Sequence, residues 1–287
     1  MRDAMPPARE LDVSEITRVV RDLFIAASRE LGGDVAGAIE EALSLEESER
    51  AVAALREIME NQRIAREESM PLCQDTGLAV LFVEIGQDVR IRGGVFHEAL
   101  QEGVRLAYRE GYLRKSVCDP LSRVNTADNT PAVIHVDIVP GDRVRITAMP
   151  KGGGSENMSV ARMLVPSAGL EGIEDLVVDT VRKAGPNSCP PLVVGVGIGG
   201  TLEYSALLAK KALARPLGRF NDRDDRLADL ERKLLERING LGIGAQGYGG
   251  RVTALAVHAE MAPCHIASLP VTVNLNCHVA RHRECIL

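Results

Sequence analysis

The 287-residue chain contains no tryptophan, and aromatic residues make up only 3% of it. That scarcity argues against a base-stacking platform and against the aromatic girdle of a membrane-embedded protein. Basic residues do not dominate either: 34 Lys and Arg stand against 40 Asp and Glu, for a formal charge of −6. The footprint of a nucleic-acid binder is therefore missing. No stretch approaches the roughly 20 consecutive apolar residues that a membrane span needs. The opening MRDAMPPARELDVSEITRVV lacks an apolar core and a small-residue cleavage site, so no secretory leader is expected and the location expected is cytoplasmic. Six cysteines are too sparse for a disulfide scaffold, and the lack of any CxxC pair excludes a zinc finger or ribbon.

What is present is an ordinary globular composition, 45% hydrophobic and 26% charged. Ile16, Val19, Val20, Leu23, Phe24 and Ala27 form the i, i+3, i+4 stripe of an amphipathic helix within Leu11–Leu31. Ser14 is a plausible start for it and Gly32-Gly33 a plausible stop. The pattern repeats over 34–45 and 47–66, and residues 1–66 carry no catalytic signal. From Met70 onward the texture changes to short β-branched runs, at 78–85, 132–139, 143–149, 192–196, 251–257 and 271–275, which read as strands. Helical patterns fall at 96–110, 172–184, 201–214 and 224–239. The expected fold is mixed α/β: a helical lobe over 1–66, then a mixed sheet body over 67–287, in one domain.

Four loops carry more chemistry than a turn needs: PLCQDTG (71–77), SRVNTADNTPA (122–132), PKGGGSEN (150–157) and GPNSCPP (185–191). Function concentrates on loops held by a rigid scaffold. In PKGGGSEN, consecutive glycines let the backbone N–H groups approach an anion, Lys151 adds a cation and Ser155 a hydroxyl. The Lys precedes the glycines, so this is not a Walker A loop; a plain turn after a strand is the competing reading. Residues 195–200, GVGIGG, contain GxGxxG and raise the alternative of a NAD-dependent oxidoreductase. Asp222 stands where the acidic partner should, but no strand leads to it, and close helix–strand packing accounts better for the glycines.

Cys118, Cys264 and Cys285 lack supporting turn chemistry and read as incidental thiols. Cys73, Cys189 and Cys277 each sit in a loop or at a strand end. Three distant thiolates are too few for a closed tetrahedral site. They suit either ordinary loop positions or a cubane iron–sulfur cluster with one iron left without a protein ligand.

Taken together, Cys73-Gln74-Asp75-Thr76-Gly77, Leu113-Arg114-Lys115-Ser116, Asn125-Thr126, Asn129-Thr130-Pro131-Ala132 and Lys151-Gly-Gly-Gly-Ser155 make a specific set. With Cys189-Pro-Pro, Gly199-Gly200-Thr201, Leu241–Gln246 and the His265…Cys277 pair, the chain resembles the α subunit of the class I iron–sulfur hydro-lyases, the oxygen-sensitive fumarases and L-tartrate dehydratase. The resemblance runs from about Arg56 to Arg281. It implies a [4Fe-4S] cluster on Cys73, Cys189 and Cys277. It implies substrate binding by Gln74, Asp75, Arg114 and Gly153, to which Lys151 adds a cation, and an active-site histidine at His265. Asp75, aided by His265, would handle the proton on the departing oxygen. His97, His135, His258, His278 and His282 have no such support and are expected to be structural.

The resemblance further implies a separate β subunit completing the site, in an assembly of two α and two β subunits. The expected reaction is hydration of fumarate to (S)-malate. The alternative is dehydration of L-tartrate to oxaloacetate, which differs by one C3 hydroxyl. A non-catalytic scaffold subunit is a third possibility of a different kind.

Overall fold

In this computed structural model, residues 8–287 are described; the first seven residues, part of the stretch read above for a leader, lie outside them. In chain order the elements are β1 (Arg9–Asp12), α1 (Val13–Arg29), α2 (Gly33–Leu45), α3 (Glu49–Glu67), β2 (Leu78–Gly86), β3 (Val89–Arg92) and α4 (Phe96–Glu110). There follow β4 (Val133–Val139), β5 (Val144–Lys151), the single turn α5 (Gly153–Glu156), β6 (Val160–Leu164), α6 (Gly169–Ala184) and β7 (Leu192–Gly199). The chain ends with α7 (Leu202–Ala212), α8 (Asp225–Asn239), β8 (Ala254–Ala262), β9 (Leu269–Asn276) and β10 (Arg283–Ile286). The fold is mixed α/β, as the alternating periodicities require. No described helix is long and apolar enough to cross a membrane.

Two compact units share the chain. The first comprises the residues up to Glu30, Ser69–Lys151 and Arg281–Leu287; the second comprises Leu31–Glu68 and Gly152–Ala280. The three N-terminal helices are present, α1 in the first unit and α2 and α3 in the second.

In the first unit a four-stranded sheet runs β10-β5-β2-β4, with β2 parallel to β4 and antiparallel to β5. Helices α1 and α4 cover one face. Ile16, Val19, Val20 and Phe24 from α1 pack with Leu100, Val104 and Tyr108 from α4 over Leu81, Val83 and Ile146. The two helices cross closely at Gly103, where a Cβ would come within 2.6 Å of the Val20 Cβ. The start of α1 is set by Asp12 rather than Ser14: the Asp12 carboxylate accepts from the Ser14 N–H at 2.8 Å.

In the second unit the sheet order is β6-β9-β7-β8, with β7 parallel to β8 and antiparallel to β9. Side chains alternate across a strand. Leu192, Val194, Val196 and Ile198 point to a core filled by Val177, Val181, Leu230 and Leu234 of α6 and α8. The other face of β7 presents Gly195 and Gly197 to α7. A Cβ at either position would collide with a helix backbone oxygen, that of Ala209 or of Ser205. Gly195 and Gly197 of the GxGxxG stretch lie inside the strand and let a helix sit on it, and Gly200 falls just past the strand's end. They do not form the phosphate-facing loop of a dinucleotide fold.

Candidate active site

The loop between Ser69 and β2 holds Cys73 and Asp75. The Asp75 N–H donates to the Cys73 sulfur at 3.4 Å. One Asp75 carboxylate oxygen accepts from the Gly77 N–H at 3.0 Å, closing an Asx turn. Gly77 must be glycine: its φ is +78°, and a Cβ would lie 2.7 Å from the Lys151 backbone where β2 meets the end of β5. Thr76 is buried, and its hydroxyl donates to the Arg114 carbonyl at 2.7 Å, fixing the segment that carries Arg114.

Two further side chains brace this loop from below. The buried Tyr108 hydroxyl lies 2.8 and 2.9 Å from the Thr76 and Gly77 carbonyls and shares its single proton between them. Burial pushes its ionisation well above the ordinary phenol range. Asn129, fully buried, accepts the Ser116 and Val117 N–H groups at 2.6 and 3.2 Å and donates to the Gly77 carbonyl at 3.2 Å. Asn125 donates to the Lys115 carbonyl at 2.9 Å. The amide-rich 122–132 loop thus acts through its side chains as a clamp on 113–117. Gln74 and Arg114 are exposed, and Lys151 is buried at the end of β5. Arg281, also buried, donates to the Pro150 and Asp75 carbonyls.

In the second unit Cys189 follows the 185–188 turn in a left-handed conformation, φ 53°. Its carbonyl accepts from the His278 N–H at 3.2 Å, and the His278 Nδ1 lies 3.1 Å from the same oxygen. Gln246 completes the arrangement. Its side-chain nitrogen donates to the Pro190 carbonyl at 2.8 Å and lies 3.0 Å from His278 Nδ1. These bonds bring the Cys189 and Cys277 segments to one end of the sheet. The turn containing Gly153 packs against the 185–188 segment at that end, where the Asn187 carbonyl is the nearest atom to a Cβ placed at Gly154, 3.9 Å away.

His265 lies elsewhere. It sits in the exposed turn between β8 and β9, where its Nδ1 accepts from the Ala267 N–H at 3.1 Å. It borders a shallow depression of about 480 Å³ with Thr201, Tyr204, Cys264 and Ser268. The twelve residues from His265 to Cys277 span the whole of β9, so the two stand at opposite ends of a strand roughly 26 Å long at about 3.3 Å per residue. The eight residues of β9 lie between His265 and Cys277. His278, expected to be structural, is the histidine beside both cysteine segments.

The six cysteines are thiols rather than halves of disulfides. Neither unit by itself assembles three or more His, Cys, Asp or Glu side chains into a metal-binding group among the described residues. The donor chemistry still fits a thiolate-bound cluster. One loop offers Cys73 with an N–H on its sulfur, and one sheet end gathers the segments of Cys189 and Cys277.

One unit carries a loop with a thiol, a carboxylate and an exposed arginine, and the other carries a sheet end with two cysteine segments. The fumarate hydratase (Fumerase) family model matches residues 17–286. A protein of Methanocaldococcus jannaschii called "Putative L(+)-tartrate dehydratase subunit alpha" is 46% identical over 273 residues, 93% of this chain and 95% of that one. The "L(+)-tartrate dehydratase subunit alpha" of Escherichia coli strain K12 is 31% identical over 273 residues, 94% of this chain and 89% of that one. The chain belongs to the fumarate hydratase family, as a hydro-lyase chain of the α-subunit type.

Proposed function

We propose that this chain is the α subunit of a cluster-dependent hydro-lyase that dehydrates L-tartrate to oxaloacetate, completed by a separate β subunit. The observation that carries the choice of substrate is the identity, 46% and 31%, to chains called L(+)-tartrate dehydratase subunit alpha. Fumarate hydration, expected from the motifs alone, is the second reading and rests on the name of the matching family.

Cys73, Cys189 and Cys277 are the proposed ligands of a [4Fe-4S] cluster. When bound, such a cluster supplies a Lewis-acidic iron that eases departure of the C2 hydroxyl. The C3 proton would pass to a base on the β subunit, leaving an enol that tautomerises to oxaloacetate. This chain's own residues bind the substrate and handle the proton on the departing oxygen. The Asp75 carboxylate, aimed by the Gly77 N–H, delivers or takes the proton at the departing oxygen. Arg114, held through its carbonyl by Thr76, presents a two-pronged donor to one substrate carboxylate. The Gly153 N–H and Lys151 suit the second carboxylate, and the Gln74 amide suits a substrate hydroxyl. His265, implied by the family resemblance, stays the proposed aid to Asp75 in this proton transfer; in the chain by itself it lies in the exposed turn before β9.

The test is anaerobic co-expression with the β subunit, followed by assays with L-tartrate, malate and fumarate. Tartrate dehydration should dominate and fall about 10²- to 10⁴-fold in Asp75→Asn, which keeps the turn but removes the acid–base group. Fumarate hydration without tartrate turnover would overturn the substrate assignment. A colourless, iron-free anaerobic protein would overturn the cluster.

A further inference from the structure

Strand β4 closes one end of the sheet in the first unit, with β2 as its only neighbour among the described strands. Its seven residues read Val133-Ile134-His135-Val136-Asp137-Ile138-Val139. About Val136 this sequence is the same in both directions, except that a basic residue on one side answers an acidic one on the other. Val133, Val136 and Ile138 are 45%, 46% and 77% exposed.

Strand edges are templates for pairing, and proteins usually blunt them with lysine, proline, a bulge or a short strand. β4 has no lysine, proline or bulge and runs for seven residues, with Asp137 as its single carboxylate. The opposite edge of the same sheet is blunter: β10 has only four residues and carries Arg283 and Glu284.

We infer that β4 pairs antiparallel with β4 of a second copy of this chain, about a two-fold axis through Val136. In that register Val133 faces the second copy's Val139, Ile134 faces Ile138, His135 faces Asp137, and Val136 faces itself. Each contact occurs twice, as an isologous interface demands. Neighbouring registers fail on the same residues. A slip of one sets Asp137 against Val136 and His135 against Ile138; a slip of two sets Asp137 against Asp137 or His135 against His135. Like charges directly opposite destabilise a sheet, whereas opposite charges and β-branched pairs stabilise it. His135 is already braced for its place, its ring stacked on Phe82 of β2 with centroids 5.3 Å apart. Self-complementarity of this kind selects a second copy over an unrelated partner, which would have no reason to match a two-fold sequence.

The inference does not rest on the functional reading, because its test reads mass and not activity. The full chain, alone and co-expressed with its β subunit, is examined by analytical ultracentrifugation. Two α chains per particle are expected. Val136→Lys, at an exposed position, sets two ammonium groups facing each other on the axis and should halve the mass of the α assembly while leaving the circular dichroism unchanged. Val136→Cys should cross-link to itself under mild oxidation, yielding a peptide joined 136 to 136, whereas Ile138→Cys should not join 138 to 138. A monomeric wild-type chain, a dimer that survives Val136→Lys, or no 136–136 peptide would each overturn the inference. So would a Val136→Lys chain that loses only its contact with the β subunit, which would assign the edge to that partner instead.

Discussion

The buried Arg281 guanidinium donates from Nη2 to the main-chain carbonyl of Asp75 and from Nε, at 3.3 Å, to that of Pro150. One side chain thereby ties the Cys73–Gly77 loop to the end of β5. Its third nitrogen, Nη1, is buried without a hydrogen-bond partner. Because its contacts with Asp75 are to main chain, Arg281 positions the proposed proton-handling residue and does not itself react.

Arg281→Lys should therefore separate placement from charge. An ammonium group keeps the charge but cannot span two carbonyls in a fixed fork. The expected result is a stability loss of about 1.5–3 kcal/mol, from hydrogen bonds to a charged group. Turnover should fall more than substrate affinity. Thermal denaturation, together with kcat and KM of the reconstituted enzyme, checks both.

Gly197→Ala tests the packing of α7 on β7. The added methyl would meet the Ser205 backbone oxygen, which cannot move without shifting the helix. Overpacking of this sort costs about 1–3 kcal/mol, so a lower Tm is expected. NAD should neither bind the wild type nor protect either form against unfolding. Saturable NAD binding abolished by the substitution would restore the dinucleotide reading.

Much of the fold was legible because long periodic segments advertise themselves. Helix α4 spans the predicted 96–110, and the six expected strands all form with shifted ends. The unseen strands β1, β3, β6 and β10 have four or five residues each, and polar side chains break up their apolar pattern. At the site, loop composition drew attention to Cys73, Asp75 and Cys189, but the bracing side chains were hidden. Tyr108 reaches Gly77 across 31 positions and Arg281 reaches Asp75 across 206, and no local pattern encodes such contacts. The twelve-residue offset from His265 to Cys277 is silent in the same way: it does not reveal that β9 lies between them and sets them at its opposite ends.

Acid should loosen the structure at two identifiable carboxylates. Asp128 accepts from the Thr130 N–H at 2.9 Å, its hydroxyl at 2.7 Å and Arg105 Nε at 2.9 Å. Partial burial alone would raise its pKa, but these donors outweigh it and hold the carboxyl at about 2. Burial likewise opposes ionisation of Glu46, yet the N–H groups of Ser48, Glu47, Val252 and Arg251 bring it below its usual range. Both groups are lower in the folded chain than in the unfolded one. Their stabilisation is complete above the unfolded pKa, near 4, and is lost as pH falls from there toward 2. Denaturant midpoints measured from pH 6 downward should decline in that window, and Asp128→Asn should flatten the decline.

The bridge made by Gln246 offers the sharpest test of the cysteine-bearing sheet end. Its amide joins the Pro190 carbonyl, one residue after Cys189, to His278, one residue after Cys277. The backbone N–H of Gln246 also donates to the Pro190 carbonyl at 2.8 Å, so the strand ends are held partly by main chain. Gln246→Ala should leave the global fold standing, with a loss of about 1 kcal/mol from the missing side-chain bonds. The proposed ligand segments would become less well fixed. If they hold a cluster, the variant should lose iron faster than wild type on exposure to air or a chelator, read as the decay of visible absorption at equal protein concentration. Second contacts behind metal ligands typically change affinity by about 10- to 100-fold, and an effect of that order is expected. Equal rates of iron loss in Gln246→Ala and wild type would show that Gln246 supports only the backbone.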